Sequence, residues 1–570
     1  MPTIDVENAE FERLLGLNVN DSAKLDDILA LVKGEVKLLD QKEGNMSIEM
    51  KDTNRPDLWS VEGLARGLQG FLSKKKGLQE YSVGKQLANI NVDARLKDIR
   101  PFIACCIVKN INLTDAIIRG LMHLQDKLDQ TSGRNRQKTS IGLYDFDLIT
   151  QPLNYSVVKP TEISFVPLGF TEEMSLAEIL EKHPKGMEYG QIVKKHSVYP
   201  ILLDADNKVL SFPPIINSND LGKVTEKTRN LLIEVTGTAF ETVLNTVKFV
   251  SLALIDRGGE AYSTNIYYEH DRSEVVTPDF TPIHMRLDVT YANNILGLHL
   301  SSKKISELLR IAGFGVVTLN EDMLEVLVPC YRTDVMHQVD LIEDIAIAYG
   351  YNNIEPVWHD LATTGCVKPW ERLLNKVREL MIGSSYQEIL TYTMSNPDNL
   401  FLKMGLSDKS EEYKNLGRLV EIANPKVATM TCLRNWLLPN VIEFLSNNKS
   451  VEFPQKLFEL GKITVLDETQ ETRTRDEHWL ATVVSHPTAN FTEIKSVLDA
   501  LFMNLGINWQ IKATNHSSFI DGRVGAILVD RMYLGFVGEI NPQVLTNWGL
   551  ENPTAAFEVN LSAVLGRKLL

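Results

Sequence analysis

The chain has 570 residues, a length that predicts about four domains and excludes a single compact one. Hydrophobic residues make up 44% and charged residues 23%, an ordinary globular balance that excludes a disordered or fibrous protein. The net charge of -15 argues against a protein that coats nucleic acid, because phosphate binding needs a basic surface. Any contact with RNA is therefore expected to be local.

The cysteines and the start of the chain bear on the compartment. No CxxC pair and no histidine at zinc spacing accompanies the cysteines, which we interpret as buried thiols: Cys105, Cys106, Cys330, Cys366 and Cys432. No apolar run reaches the roughly 18 residues of a membrane span, and the first residues are acidic where a signal peptide is basic and then apolar. These features predict a cytoplasmic protein with no membrane partner.

The first predicted region, residues 1–88, is a small domain of mixed strands and helices. Pro56 suits the first turn of a helix, and the apolar positions that follow it have helical spacing: Val61, Leu64, Ala65 and Leu68. The sequence therefore predicts a helix that begins near Pro56 and ends near Leu68.

The second predicted region, residues 89–275, alternates strands and helices. One helix is predicted from an apolar stripe that Gly133 ends: Ile117, Leu121, Leu124 and Leu128. The basic residues Arg134, Arg136 and Lys138 then lead into a strand that carries Tyr144, a combination that single-stranded RNA recognition uses. Taken alone, these residues favour an ordinary polar segment over an RNA site.

Two further strand patterns lie in this region. Tyr199 to Pro213 predicts a hairpin, and if Asp206 and Asn207 form its loop, Leu202 lies opposite Ser211. In the strand that follows, one face carries Leu231, Ile233 and Val235, and the other carries Leu232, Glu234 and Thr236. A carboxylate and a hydroxyl thus lie side by side, although periodicity alone favours a solvent-facing edge strand over a binding site.

The third predicted region, residues 276–358, contains a helix and an acidic cluster. The helix is predicted from apolar positions with core spacing that Gly313 ends: Ile305, Leu308 and Leu309. Asp340, Glu343 and Asp344 are spaced at i, i+3 and i+4, so they share one helix face, and Asp334 lies shortly upstream. Carboxylates held this close repel one another unless a cation neutralises them. Two interpretations stay open: a cation site, or an acidic helix start that the helix dipole favours.

The last predicted region, residues 359–570, is a helix followed by several apolar strands, two of them near Glu459 and Glu539. It contains no glycine-rich phosphate loop, no HExxH pair and no serine elbow. This composition predicts a domain without catalytic chemistry of its own.

Seven segments follow one another along the chain: NRPDLWSVEGLARGL, PPIINS, NLLIEVTGT, YRTDV with DLIEDIAIAYGYNNI, LRNWLLP, KLFELG and GEINPQVLTNWGL. Together they resemble the beta-subunit family of phenylalanyl-tRNA synthetases, in its archaeal and eukaryotic cytosolic form. The resemblance implies a multidomain fold of α+β and α/β parts. Its domains would be a small N-terminal α+β domain at 1–88, an editing domain at 89–275, a small helical, winged B5-like domain with the acidic cluster at 276–358, and a degenerate class II synthetase-like antiparallel sheet domain at 359–570.

The resemblance also implies partners. It predicts a complex of two alpha and two beta subunits that acts on the tRNA for phenylalanine, with ATP and phenylalanine bound by alpha. The strand at Glu459 lacks the arginine that holds ATP in active synthetases, and nothing after Glu539 resembles their final glycine-rich motif with its arginine. Without those cations the triphosphate has no electrostatic stabilisation, so this chain is not expected to form an adenylate.

Two sets of site residues are implied by the resemblance. Asp334, Asp340, Glu343 and Asp344 match the family's magnesium site, and Mg2+ prefers oxygen ligands. An editing pocket for mischarged tyrosyl-tRNA is matched by Leu202, Ser211, Glu234 and Thr236. An apolar pocket rejects the extra hydroxyl of tyrosine by only about a hundredfold, so a second site that binds this hydroxyl is needed, with Glu234 as its acceptor.

The sequence departs from the family's pattern at two positions. Glu234 stands where relatives often have aspartate, and Tyr144 stands where many have histidine. The role of that histidine cannot be transferred to Tyr144. An alternative therefore stays open, in which the chain is a scaffold that assembles the alpha subunit and orients tRNA without editing.

Overall fold

The computed structural model describes residues 2–16, 22–40, 44–358, 363–407, 416 and 418–565. The chain forms two compact units, Met1–Trp358 and His359–Leu570. Both contain helices and β-sheets, so the protein is a mixed α/β chain with several sheets. None of the helices in the described ranges is long and apolar enough to cross a membrane.

The first unit begins with a three-stranded antiparallel sheet in the order β1-β3-β2. Its elements are β1 (Thr3–Glu7), α1 (Asn8–Leu15), α2 (Ser22–Ala30), β2 (Gly34–Asp40), β3 (Asn45–Met50) and α3 (Val61–Leu68). Pro56 opens a separate 3-10 turn, Pro56–Leu58, and α3 starts after Ser60, whose hydroxyl accepts a hydrogen bond from the Gly63 amide at 3.1 Å. The predicted helix end at Leu68 is confirmed, but its start lies later than predicted because Ser60 caps it.

A ten-stranded mixed sheet follows. Its elements and the surrounding helices are β4 (Gly84–Val92), β5 (Phe102–Lys109), α4 (Asp115–Gln130), β6 (Thr139–Asp145), β7 (Leu153–Val158), β8 (Ser164–Phe165), β9 (Met174–Ser175), α5 (Leu176–Lys182), α6 (Pro184–Tyr189), α7 (Gln191–Lys194), β10 (Tyr199–Leu203), β11 (Val209–Phe212), β12 (Ile216–Asn217), β13 (Leu231–Gly237), α8 (Phe240–Ile255), β14 (Glu260–Tyr268) and β15 (Ser273–Thr277). The strand order is β12-β11-β10-β7-β4-β14-β5-β13-β6, with β15 beside β14 and a separate β8–β9 pair.

The two faces of this sheet are covered by different cores. Helices α4 and α8 pack on one face, and the stripe of α4 predicted from sequence is buried there. The other face carries a second core that includes Leu202, Leu232 and Tyr144. Because apolar side chains cover both faces, a polar group on a central strand of this sheet is removed from bulk water.

The predicted hairpin is present as β10 and β11, and Leu202 pairs with Ser211 as expected. Its loop is longer than the predicted Asp206–Asn207 turn, because the register shifts after Leu202 and Leu203 pairs with Val209. The side chain of Asp204 accepts hydrogen bonds from the Asp206 and Lys208 amides at 2.9 and 2.8 Å, which closes this wider loop.

The first unit ends with a three-stranded sheet in the order β16-β18-β17, packed against three helices. The elements are β16 (Ile283–Asp288), α9 (Val289–Leu296), α10 (Ser302–Ile311), β17 (Gly315–Thr318), β18 (Met323–Val328) and α11 (Gln338–Tyr349). The predicted core positions of α10, Ile305, Leu308 and Leu309, are buried. The division of this unit into three domains stays a prediction.

The second unit contains a seven-stranded sheet in the order β19-β23-β24-β28-β27-β26-β25, antiparallel except for β19 beside β23, and a small β20-β22-β21 sheet. Its elements are α12 (Pro369–Gly383), β19 (Gln387–Glu388), β20 (Met394–Ser395), β21 (Val420–Glu421), β22 (Cys432–Leu433), α13 (Leu438–Asn447), β23 (Gln455–Leu466), β24 (Thr474–Ser485), α14 (Phe491–Asn504), β25 (Gln510–Ala513), β26 (Phe519–Val529), β27 (Met532–Ile540), α15 (Pro542–Asn547), β28 (Thr554–Asn560) and α16 (Leu561–Leu565).

The cysteines differ in one respect from the prediction. Cys105, Cys106, Cys330 and Cys432 are buried, whereas Cys366 is exposed. Cys366 lies before α12 and belongs to no helix or strand. The prediction of a buried thiol is therefore wrong at this position.

Candidate functional site

Strand β13 lies inside the ten-stranded sheet, with β5 on one side and β6 on the other. Its residues alternate between the two cores as predicted, and Glu234 and Thr236 are 2% and 0% exposed. The interpretation of this segment as a solvent-facing edge is therefore wrong. Periodicity reports which residues share a face, but it does not report what packs against that face.

A cavity of about 360 Å³ lies where the two ends of the sheet approach each other. The Asn217 side chain, on β12 at one end, donates to the Leu143 carbonyl, on β6 at the other end, at 3.4 Å. The cavity is lined by residues of β6, of β11 and β12, of α4 and of the turn that contains Pro213 and Pro214. The cavity thus lies between β12 and β6, the two ends of the sheet, which approach each other without pairing as strands.

The residues predicted for an editing pocket divide into two pairs. Ser211 and Glu234 line the cavity. Leu202 is fully buried in the core beside them, and Thr236 accepts a hydrogen bond from the Arg100 Nε at 3.0 Å; neither belongs to the cavity lining. The structure therefore brings Ser211 and Glu234 to the cavity and leaves Leu202 and Thr236 behind it.

Glu234 is the most unusual polar group at the cavity. One carboxylate oxygen, Oε2, accepts a hydrogen bond from the Tyr144 hydroxyl at 2.8 Å. The other, Oε1, is buried and has no partner at hydrogen-bonding distance and angle among the described residues, and the same holds for the Ser211 hydroxyl. The Thr236 hydroxyl still affects the Glu234 carboxyl, and the Ser211 hydroxyl affects that of Tyr144. Buried oxygens without partners are rare in folded proteins, and at a cavity they mark a place for a ligand that donates hydrogen bonds.

Burial raises the pKa of Glu234 to about 7, although the Tyr144 hydroxyl, the positive charge of Arg100 and the Thr236 hydroxyl act in the opposite direction. The carboxyl is therefore balanced between its charged and neutral forms near neutral pH. Ionisable groups with such shifted pKa values, located at a cavity, are frequent at functional sites. In its charged form Glu234 is a strong acceptor for a ligand hydroxyl.

The basic segment before β6 has a structural role that the sequence did not predict. Arg136 forms an ion pair with the buried Asp129 at 3.1 Å and donates to the carbonyls of Pro214 and Ile215 at 3.2 and 3.0 Å. It thereby connects α4 to the turn that lines the cavity. Since Arg136 is committed to these partners, only Arg134 remains exposed among the two arginines considered for RNA.

Arg100 is the buried partner of this segment. Its side chain is 1% exposed and donates to the Arg136 carbonyl at 3.0 Å, as well as to the Thr236 carbonyl at 2.7 Å. Residues 134–136 all have left-handed backbone conformations, with φ of 49°, 51° and 64°. Such conformations persist only when surrounding contacts hold them. Arg100 provides one of these contacts, and backbone bonds from residues 134–136 to carbonyls at the end of α4 and just after it provide others. In the sequence, the role of Arg100 is indicated only by the position of this single arginine just before the apolar strand β5.

The acids predicted to bind magnesium lie on and before α11, and each has protein partners of its own. Arg332 is 5% exposed and donates to Asp334 at 2.8 Å and to Asp344 at 2.7 Å. Burial alone would raise the pKa of Asp334, but the bonds from Arg332 hold it below its usual value. These two carboxylates are thus neutralised by a guanidinium.

The other two acids point to different partners. Asp340 accepts hydrogen bonds from the amides of Met336 and His337, both at 2.8 Å, and so caps α11. Glu343 pairs with Lys33 at 3.0 Å. Among the described residues, no three acidic, histidine or cysteine side chains are grouped to hold a metal. The predicted acids share a helix face, but in this arrangement they do not fit a magnesium ion.

In the second unit, Glu459 lies where the sequence predicts a synthetase-like strand without its arginine. It is 1% exposed and pairs with Arg434 at 2.8 Å. Glu558, on β28, is fully buried and accepts hydrogen bonds from the Leu437 and Leu438 amides, both at 2.8 Å. Burial raises the pKa of Glu558 to about 7. A single glutamate inside the apolar run TAAFEVN was the sequence signal that could have identified Glu558.

Comparison with protein families gives two matches. The model of the phenylalanyl tRNA synthetase beta chain CLM domain matches residues 354–561, and the model of the tRNA synthetase B5 domain matches residues 285–351. The two matches follow each other along the chain and cover both the second unit and the end of the first.

Individual relatives extend this similarity to the whole chain. The chain is 41% identical over 568 residues to the phenylalanine–tRNA ligase beta subunit of Thermococcus onnurineus, with 98% of each chain covered. It is 38% identical over 563 residues to that of Archaeoglobus fulgidus, with 99% of this chain and 98% of the relative covered. A crystal structure of an N-terminal fragment of the Pyrococcus horikoshii phenylalanyl-tRNA synthetase beta subunit matches 61% of this chain and 100% of the fragment, with 39% identity and a TM-score of 0.59.

Proposed function

The chain belongs to the family of phenylalanine–tRNA ligase beta subunits, and we propose that it is the partner and proofreading subunit of such a ligase. In this proposal it assembles with an alpha subunit as two alpha and two beta chains, and it hydrolyses tRNA for phenylalanine that carries tyrosine. The alpha subunit binds ATP and phenylalanine and performs the attachment.

The need for proofreading follows from the similarity of the two amino acids. Tyrosine is phenylalanine with one added hydroxyl, and an apolar synthetic pocket rejects that hydroxyl by only about a hundredfold. A second pocket with a buried acceptor reverses the preference. It gains a hydrogen bond with tyrosine, whereas phenylalanine would leave the acceptor buried and unpaired.

One observation carries the proposal: the Oε1 atom of Glu234, buried at a cavity of about 360 Å³, has no hydrogen-bond partner among the described residues. A tyrosyl phenol is a donor that suits this acceptor. The apolar lining, which includes Ile141, Leu143 and Phe212, suits the ring that carries the hydroxyl.

The residues of this chain bind and orient the tyrosyl ester in the proposed reaction. Glu234 accepts the phenol, and Arg136 holds the turn at Pro214 and Ile215 that forms one wall. The unpartnered Ser211 hydroxyl is available to a water or to a polar group of the ester. Water then adds to the ester carbonyl, and the ribose oxygen leaves as a hydroxyl.

The second unit is proposed to support assembly and not to activate phenylalanine. Its buried carboxylates are paired internally, Glu459 with Arg434 and Glu558 with the backbone of Leu437 and Leu438. The Arg434 guanidinium is therefore not available to stabilise a triphosphate. ATP-dependent charging is assigned to the alpha subunit for this reason.

The test is hydrolysis of preformed aminoacyl-tRNA by the assembled complex. We expect rapid release of tyrosine from tyrosyl-tRNA and slow release of phenylalanine from the cognate ester. Equal, slow release of both amino acids would contradict the editing proposal and would favour the alternative, a scaffold that assembles alpha and orients tRNA. The native mass of the complex tests the proposed stoichiometry independently.

A further inference from the structure

A tyrosine of the chain itself already donates to the proposed acceptor. Tyr144 is the residue of β6 paired with Leu232 on β13, and it is 0% exposed. Its hydroxyl lies 2.8 Å from Glu234 Oε2 and 3.5 Å from Asn217 Oδ1. One oxygen of the Glu234 carboxylate is thus occupied by a phenol, and the other is left without a partner.

The sequence of β6 permits this contact through a glycine. Gly142 pairs with Glu234 across the two strands. A Cβ atom at position 142 would collide with both the Tyr144 hydroxyl and Glu234 Oε2. The hydrogen bond between Tyr144 and Glu234 therefore depends on the absence of a side chain between them.

We infer, on the basis of the proposed editing function, that Tyr144 is a positioning residue: its phenol holds one oxygen of Glu234 and directs the other to the hydroxyl of the tyrosyl substrate. A carboxylate that is held at one oxygen cannot rotate freely about its last bond. The acceptor for the substrate is then a single oxygen in a fixed place, as selective binding of one hydroxyl requires.

The groups that face Glu234 give Tyr144 a second effect, on the charge of this carboxyl. Arg100 is its positively charged neighbour, and Asp129, on α4, is a second buried carboxyl whose pKa burial raises to about 7 and which Glu234 affects electrostatically. Cys105, opposite on β5, and Tyr155, on β7, both have pKa values raised by burial and stay neutral. Burial opposes ionisation of Glu234, so the hydrogen bond from Tyr144 is one of the few contacts that favour the charged acceptor.

Tyr144→Phe in the assembled alpha–beta complex tests this role, because the substitution removes only the hydroxyl. The deacylation rate of tyrosyl-tRNA should be measured from pH 5.5 to 9 in wild type and variant. Wild type should gain activity as Glu234 ionises. The variant should reach the same activity at a pH about one unit higher. It should therefore be about fivefold slower at pH 7, about tenfold slower below pH 6, and close to wild type at the alkaline end.

Tyr268→Phe is a matched control from the same core. Tyr268 is 3% exposed, and among the residues that the structure describes its hydroxyl bonds only to the backbone of Ile103. This variant should keep the wild-type midpoint. If Tyr144→Phe folds poorly, Gly142→Ala separates the same two groups and should shift the midpoint in the same direction. An unshifted midpoint in a folded variant of either kind overturns the role of Tyr144.

A spectroscopic readout separates this inference from the editing proposal. The carboxyl band of Glu234 in the full chain is identified in infrared difference spectra as the band lost in Glu234→Gln. Its protonation midpoint should rise in Tyr144→Phe even without tRNA. If wild type does not hydrolyse tyrosyl-tRNA, the editing proposal fails. If the infrared midpoint is the same in wild type and Tyr144→Phe, the positioning role fails.

Discussion

Arg434 lies 2.8 Å from Glu459, and their side chains are 3% and 1% exposed. The second oxygen of Glu459 accepts a hydrogen bond from the Thr391 hydroxyl at 2.6 Å. Arg434 also donates to the Lys462 carbonyl at 2.9 Å, so both members of the pair are held by further contacts. Neither charge can reach water if its partner is removed.

Arg434→Met should destabilise the second unit by about 3–5 kcal/mol, because it leaves the buried Glu459 carboxylate without its cation. Urea unfolding followed by tryptophan fluorescence measures the loss. Arg473→Met is the control: Arg473 lies 3.9 Å from Glu468, and the two side chains are 77% and 81% exposed. This change should cost roughly 0–0.5 kcal/mol, since exposed pairs contribute little. Equal losses in both variants would contradict the proposed importance of burial.

The chain purified without alpha should not catalyse ATP–pyrophosphate exchange in the presence of phenylalanine. The Arg434 guanidinium is held internally by the Glu459 carboxylate, and β23 itself contains no arginine. The assembled complex serves as the positive control. Exchange above a protein-free blank from the isolated chain would show that adenylate formation had been assigned to the wrong subunit.

Glu234→Ala should slow hydrolysis of tyrosyl-tRNA by about ten to a hundredfold and leave phenylalanine attachment nearly unchanged. A hydrogen bond to a charged acceptor contributes about 1.5–3 kcal/mol, which corresponds to that range if it is felt fully in the transition state. The deacylation and charging rates of the assembled complex are compared.

Thr236→Val is the matched variant for this experiment, since Thr236 shares the strand face of Glu234 but does not line the cavity. It should have a smaller effect on deacylation. A parallel fall of both rates in Glu234→Ala would indicate damage to the fold, and unchanged deacylation would show that the acceptor lies elsewhere.

The stability of the first unit should fall as pH rises from about 5 to 7. The pKa of Glu234 is about 7 in the folded chain, against 4.5 for an ordinary glutamate, so the folded state binds more protons in this window. The full effect is about 3 kcal/mol and is complete above pH 7. Hydrogen exchange of the β6 and β13 amides measures it.

Glu234→Gln should remove this contribution, because an amide does not ionise in this range. A similar fall should remain from Asp129 on α4, since burial raises the pKa of that carboxyl to about 7 as well. It keeps an oxygen that can accept the hydrogen bond from Tyr144. Glu181→Gln, at an exposed position, should leave the slope as in wild type. Identical slopes for Glu234→Gln and wild type would exclude Glu234 as the source.

Arg332→Gln should destabilise the first unit by about 3–5 kcal/mol, because Asp334 and Asp344 then lose their shared guanidinium. Magnesium should restore part of the loss, since a divalent cation can neutralise two adjacent carboxylates. Thermal unfolding with and without MgCl2 should show a larger increase in Tm for the variant than for wild type. An equal response would indicate that these acids do not attract the ion even without Arg332.

Residue patterns predicted much of the local structure. The stripe on α4, the core positions of α10 and the pairing of Leu202 with Ser211 all follow from spacing along the chain. The order of the family's segments predicted the family. Spacing and order are properties of neighbouring residues, so a sequence states them directly.

The contacts of the charged groups depended on the tertiary structure. Spacing indicated that Asp340, Glu343 and Asp344 share a helix face, but it did not indicate that Arg332 would neutralise Asp344 or that Lys33 would reach Glu343. An ion pair depends on which distant segment packs against the helix. Which segment packs there is decided by the packing of the whole hydrophobic core.

The sequence by itself determined several helices and strands, which family the chain resembles, and that Glu234 and Thr236 share one face of a strand. Only the tertiary structure decided that this face is buried, that Glu234 reaches a cavity while Thr236 binds Arg100, and that Tyr144 takes one of the Glu234 oxygens. The physical reason is that side-chain alternation is local, whereas burial and hydrogen-bond partners come from β5, β6 and β11, strands far apart in the chain.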